Sequence, residues 1–177
     1  MNRIGLIFRF IVSAALLSAV AALAQLSATT SPGPVPPAIL AAKKIFVSNA
    51  GSDSGLFPEP FSGDPNRGYA QFYAALKSTG QFELAADPSQ ADLVLELQLI
   101  ATYGPSEGSK VKGASDPLPM FRLVIYDRKT HYILWTLTQS IDIAFLQKSH
   151  DRNFDQALAA LLHDFLALSG KPPTAAH

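Results

Sequence analysis

The 177-residue chain carries 14 Lys plus Arg against 14 Asp plus Glu, a formal net charge of zero, and no basic cluster of the density that a phosphate backbone requires. It contains no cysteine, which excludes disulfides, thiolate metal sites, cysteine nucleophiles and thioether lipid attachment. A chain of this length suffices for one domain with a real core.

Met1 to Ala24 read as an export signal. Arg3 and Arg9 make a positive start, Phe10 through Ala22 an apolar run, and Ala22-Leu23-Ala24 the small-x-small pattern that signal peptidase reads. Cleavage before Gln25 is expected. The alternative is an uncleaved anchor helix, since the run approaches the roughly 20 residues that span a bilayer. Residues 25–42 are expected to form a linker, rich in Pro, Ser and Thr up to Pro37 and too poor in large apolar residues to pack. The domain is then 43–170, with a frayed tail over 171–177.

Lys44 to Ser48 is short and apolar on both faces, as a strand inside a sheet would be. Asn49 to Gly63 is long for a connection and carries Leu56, Phe57 and Phe61 among prolines and glycines. These side chains either tuck onto the edge of the core or present a contact surface, and the loop is the candidate partner-contact site. Asp64 followed by Pro65 marks a helix start. Tyr69, Phe72, Tyr73 and Leu76 repeat at three and four, and Gly80 supplies the left-handed position that ends a helix over about 65–79. Phe82 to Ala85 is a short strand, and Asp87-Pro88-Ser89 turns the chain.

Ala91 to Tyr103 alternates Leu93, Leu95, Leu97 and Leu99 against Val94, Glu96, Gln98 and Ile100, one dry face and one wetter. Glu96 is expected to be a solvated side chain of that wetter face. Gly104 to Pro119 is polar and glycine-rich, without the spacing of a phosphate-binding loop. Phe121 to Ile141 then reads as a hairpin turning at Asp127 to His131. Phe121, Leu123 and Ile125 would share an apolar face with Ile133, Trp135 and Leu137, while Arg122, Val124 and Tyr126 oppose Tyr132, Leu134, Thr136 and Thr138. A slip of one residue would reverse Trp135 and Leu137, so an odd loop count or a bulge should hold the register.

Asn153 with Gln156 three residues on makes a capping box. Phe154, Leu158, Leu161, Leu162 and Phe165 follow at helical period, closed by Gly170 and Pro172. The predicted fold is α+β: a mixed, largely antiparallel sheet of about five strands in the order β-α-β-β-β-β-α, with two helices packed on one face.

Chemistry is hard to find. His131, His150, His163 and His177 make no metal-ligand spacing, and there is no G-x-S-x-G for a nucleophilic serine. No catalytic, cofactor-binding or metal residues are expected.

Three phrases carry a family likeness: ILAAKKIFVSN, then PSQADLVLELQL after a helix ending in TGQFELA, then LVIYDRKTHYILWT. Together they resemble the periplasmic domain shared by the amino-terminal part of TolB, by CsgG-type curli secretion proteins and by uncharacterised envelope lipoproteins. Pro88, Ala91, Asp92, Asp127, Thr130 and Trp135 occupy the places of that pattern, over about residues 43–168. His131 stands where the pattern has glycine at positive φ, which it tolerates better than most residues, and the lipid-bearing cysteine is missing. The resemblance implies a non-catalytic envelope role without naming a partner. The expected partner is another envelope protein or a second copy, in the periplasm or secreted space, with no nucleic acid, as the charge balance indicates, and no membrane anchor after signal cleavage. The rival from another class is a small periplasmic hydrolase or ligand-binding protein with a loop-built site at Asp53, Glu107 and His150, and a deep pocket joining two of them would favour it.

Overall fold

Strict alternation along the strands decides which side of the sheet is dry. The computed structural model describes residues 33–103 and 117–171. The expected signal at 1–24, residues 25–32 of the linker, most of the polar loop, Glu107, Pro172 and His177 lie outside them. β1 (Lys44–Ser52), β2 (Glu83–Leu84), β3 (Leu93–Tyr103), β4 (Pro117–Asp127) and β5 (Ile133–Ser140) form one sheet in the order β2-β1-β3-β4-β5. β1 runs parallel to β2 and β3, while β3, β4 and β5 run antiparallel. The α+β class, the mixed sheet of five strands and its helical cover are as the sequence implied.

Leu93, Leu95, Leu97 and Leu99 are buried together with Ile45, Val47, Phe121, Leu123 and Ile125. Against them pack Phe72 and Leu76 of a helix over Arg67–Ser78, and Phe154, Leu158, Leu161 and Phe165 of the last helix, Gln147–Leu168. A short additional helix covers Pro37–Ala41, so in chain order the three are α1, α2 and α3. Gly68 in α2 has a packing reason. A Cβ there would come within 3.0 Å of Phe121 Cε1 and 3.5 Å of Phe154 Cζ, so the roughly 1 kcal/mol that glycine costs in a helix is offset by the close approach of two rings. Gly80, at φ +63°, ends α2 in the left-handed region as expected.

The hairpin turn is organised by Asp127, whose carboxylate accepts from Lys129 N at 2.9 Å and Thr130 Oγ1 at 2.9 Å. His131 takes φ +62°, the left-handed conformation that its position in the pattern implied. Register is held by a bulge: Ile125 pairs with Trp135 and Tyr126 with Ile133, leaving Leu134 as the extra residue.

Four expectations are corrected. α1 lies inside the stretch expected to be linker. Ile39 in it is fully buried, and Lys171 Nζ donates to Ala42 O at 2.8 Å, so one apolar side chain and one distant lysine order a segment whose composition looks unable to pack. α2 starts at Arg67 rather than Pro65, because Asp64 Oδ1 accepts from Asn66 N at 2.7 Å and makes a turn there instead. α3 starts at Gln147, and Asn153 does not cap it but donates from Nδ2 to Asp142 O at 2.8 Å. Ile133 is 60 % exposed, because the bulge takes it off the apolar face, and Trp135 is only half-buried.

The last point follows from position, since among the described residues β5 is an edge strand with a neighbour on one side only. Trp135→Ala is accordingly expected to cost about 1 to 2 kcal/mol, as partial burial of an aromatic side chain implies, and not the unfolding that a fully buried Trp would bring. Urea unfolding at neutral pH measures it. A loss above about 3 kcal/mol, the range of deep aromatic truncations, would place Trp135 in the core instead.

Candidate partner interface

The loop between β1 and α2 is not a free surface. Phe61 is 0 % exposed and Leu56 is buried beside it, while Phe57 is half-buried against the same cluster. Phe61 lies 5.1 Å from the Phe154 ring and 6.2 Å from Phe57, centroid to centroid. The expected contact site at Leu56, Phe57 and Phe61 is therefore corrected: two of its three side chains are core, because α3 offers them an apolar wall that folding alone assembles.

An ionic cluster locks the loop down. Asp151 on α3 accepts from Ser62 N at 3.0 Å, Ser62 Oγ at 2.8 Å and Arg67 Nη1 at 2.6 Å, while Arg67 Nη2 reaches Asp155 at 2.7 Å. The Arg67 guanidinium also stacks 4.5 Å from the centre of the Phe154 ring. Burial pushes the Asp151 carboxyl up, but the hydrogen bonds from Arg67 and Ser62 outweigh it and hold the group at about 2. This is structural chemistry, since every partner is a part of the fold.

The same holds for the residues of the family pattern. Asp92 accepts from the backbone N–H groups of Lys43 and Lys44, each at 2.9 Å, which holds its carboxyl below the usual range. Pro88 opens the short 3-10 turn Pro88–Gln90, which its neighbour Asp87, outside the pattern, caps by accepting from Ser89 N at 2.8 Å, and Ala91 is buried. These residues tie strand ends together.

The rival loop-built site does not assemble from its described members. Asp53 is spent on the backbone, its Oδ2 accepting from Ala101 N at 2.8 Å. His150 is buried with its ring 6.4 Å from that of Phe61, and neither residue lines the best-formed clefts. Glu96 lies on the open face of the sheet, half-buried, where it accepts from Tyr126 Oη at 3.4 Å. Partial burial, then Glu96, pushes the Tyr126 hydroxyl up. His131 is in the turn, and His163 is exposed on α3, 3.5 Å from Asp164. Among the described residues no group of three or more His, Cys, Asp or Glu could hold a metal ion, and no helix is long and apolar enough to cross a membrane.

Besides Leu40, Tyr132 and Ile133, the large apolar side chains left exposed among the described residues lie at the far end of the hairpin. The connection from β5 to α3 exposes Ile143, Leu146 and above all Phe145, which is fully exposed. Next to it a cleft of about 370 Å³ has a mostly apolar lining, Leu118, Met120, Ile141 and Ile143 among it, with Ser140 and Asp142 as its polar members, and Leu118 is exposed as well. Sequence reading passed over this segment because it has neither strand nor helix period. The available signal was three large apolar residues in five, outside any periodic element.

No protein-family model matches the chain, and a search of curated proteins finds no match. Solved structures are similar in outline. A DUF4136 family protein from Bacteroides thetaiotaomicron is 15% identical, with 77% of this chain and 92% of that one covered, at a TM-score of 0.46. The PelC dodecamer from Paraburkholderia phytofirmans is 14% identical over 77% of this chain and 92% of that one, at 0.39. Lipoprotein GNA1162 from Neisseria meningitidis is 15% identical over 71% and 99%, at 0.35.

Proposed function

We propose that the chain is an exported, non-enzymatic module of the cell envelope, periplasmic or secreted, that binds or assembles with another envelope protein. The observation that carries this reading is the fully exposed Phe145 with Ile143 and Leu146, beside the cleft under Leu118. Exposed large apolar side chains grouped at a cleft mark contact sites, since water contact there is relieved by a partner. The export signal and the likeness of three phrases to TolB-type and CsgG-type periplasmic domains support the compartment and the absence of catalysis.

Crosslinking and capture from the native envelope tests it. Phe145→Ser with Leu146→Ser should leave thermal stability within about 1 kcal/mol, as surface changes usually do, while abolishing capture of the partner that the unaltered chain retains. Capture unchanged by the double substitution would refute this surface.

A further inference from the structure

We infer that the outer edge of β5 pairs with β5 of a second copy, extending the sheet across a two-fold axis. This deepens the assembly reading and rests on it. Among the described residues β5 pairs with β4 alone, and no other backbone group bonds to its outer side. The phase of its ladder is set at one end, where Ile141 N donates to Pro119 O at 2.8 Å, one step beyond the Met120 and Ser140 pair. Opposed pairs in an antiparallel ladder alternate between bonded and non-bonded. Trp135, Leu137 and Gln139 therefore bond inward to β4, and Thr136, Thr138 and Ser140 turn their N–H and C=O groups outward. A row of open backbone donors and acceptors selects an extended strand as its occupant.

The side chains select which strand. Edges of monomeric proteins are commonly blunted by lysine, proline, or inward charges, and β5, ILWTLTQS, has none of these. From Tyr132 to Gln147 the chain carries a single charge, Asp142. A strand that meets its own copy antiparallel places each residue beside one from the same strand, so any charge would face a like charge nearby. An uncharged strand avoids this in every register. After loss of Arg3 and Arg9 with the expected signal the chain is only faintly acidic, with 12 Lys plus Arg against 14 Asp plus Glu, so the long-range repulsion between copies is weak. Pairing would cover the exposed parts of Trp135 and Leu137, which a lone sheet leaves half-buried.

Sedimentation equilibrium of the protein as recovered from the producing cell is expected to give twice the monomer mass. Thr138→Pro removes one outward donor per protomer without touching the β4 ladder, and should weaken self-association about tenfold or more, given the usual worth of two hydrogen bonds. Thr138→Lys, which leaves the backbone intact and sets like charges side by side, should do the same with unchanged melting. It stands in should the proline variant not fold. A wild-type monomer throughout the micromolar range, or a dimer that survives both substitutions, overturns the pairing. Should self-association survive both and be lost instead in Phe145→Ser, the edge is refuted while the broader assembly reading stands.

Discussion

Phe154→Ala is expected to destabilise the domain by about 3 to 5 kcal/mol, the range for truncating a fully buried aromatic ring. Phe154 is 0 % exposed and is the point where separate parts of the chain meet. Its ring lies 4.8 Å from that of Phe121 on β4, 5.1 Å from Phe61 and 6.2 Å from Phe57 in the long loop, and under the Arg67 guanidinium. Truncation would leave a cavity bounded by three other rings, which cannot all collapse into it. A loss of that size is a large share of the roughly 5 to 15 kcal/mol that a domain has. Chemical denaturation measures it, and a cost near 1 kcal/mol, typical of surface sites, would show that Phe154 is not the junction.

Asp151→Ala should cost about 2 to 3 kcal/mol, less than the cost of breaking a fully buried pair because the cluster is partly solvated, yet more than an exposed ion pair contributes. Arg67 would lose one of its two carboxylates, and Ser62 would lose the acceptor for both its N–H and its hydroxyl. The unaltered protein should also lose stability in acid. The Asp151 carboxyl sits at about 2 when folded against 3.8 in the ordinary case. A depressed carboxylate contributes in full above its unfolded value, and the contribution is lost as pH falls from 3.8 through about 2. Melting temperature followed across that window should fall more steeply in the unaltered chain than in Asp151→Ala. Parallel slopes would detach Asp151 from the acid response.

The sequence by itself determined the periodic elements. Leu93 to Leu99 alternate and Phe154 to Phe165 repeat at helical period, and both patterns state directly which side is buried, because strand and helix geometry impose the period on the chain. The turn at Asp127 was legible for the same reason, since local hydrogen bonds and sterics decide it within five residues, while the positive φ at His131 was implied by the resemblance, whose pattern has glycine there. Tertiary structure alone decided the rest. Leu56 and Phe61 belong to the core because α3 stands over them, Gln147 to Arg152 are helical with Asp151 among them tied to Ser62 and Arg67 some 84 to 89 positions away in sequence, and Trp135 stays half-buried because β5 has no neighbour on its outer side among the described residues. Aperiodic segments carry no statement of which side is in, so their burial is set by whatever surface the periodic elements bring to them. The exposed Phe145 and the open edge of β5 are visible only once every other apolar side chain has been given its place.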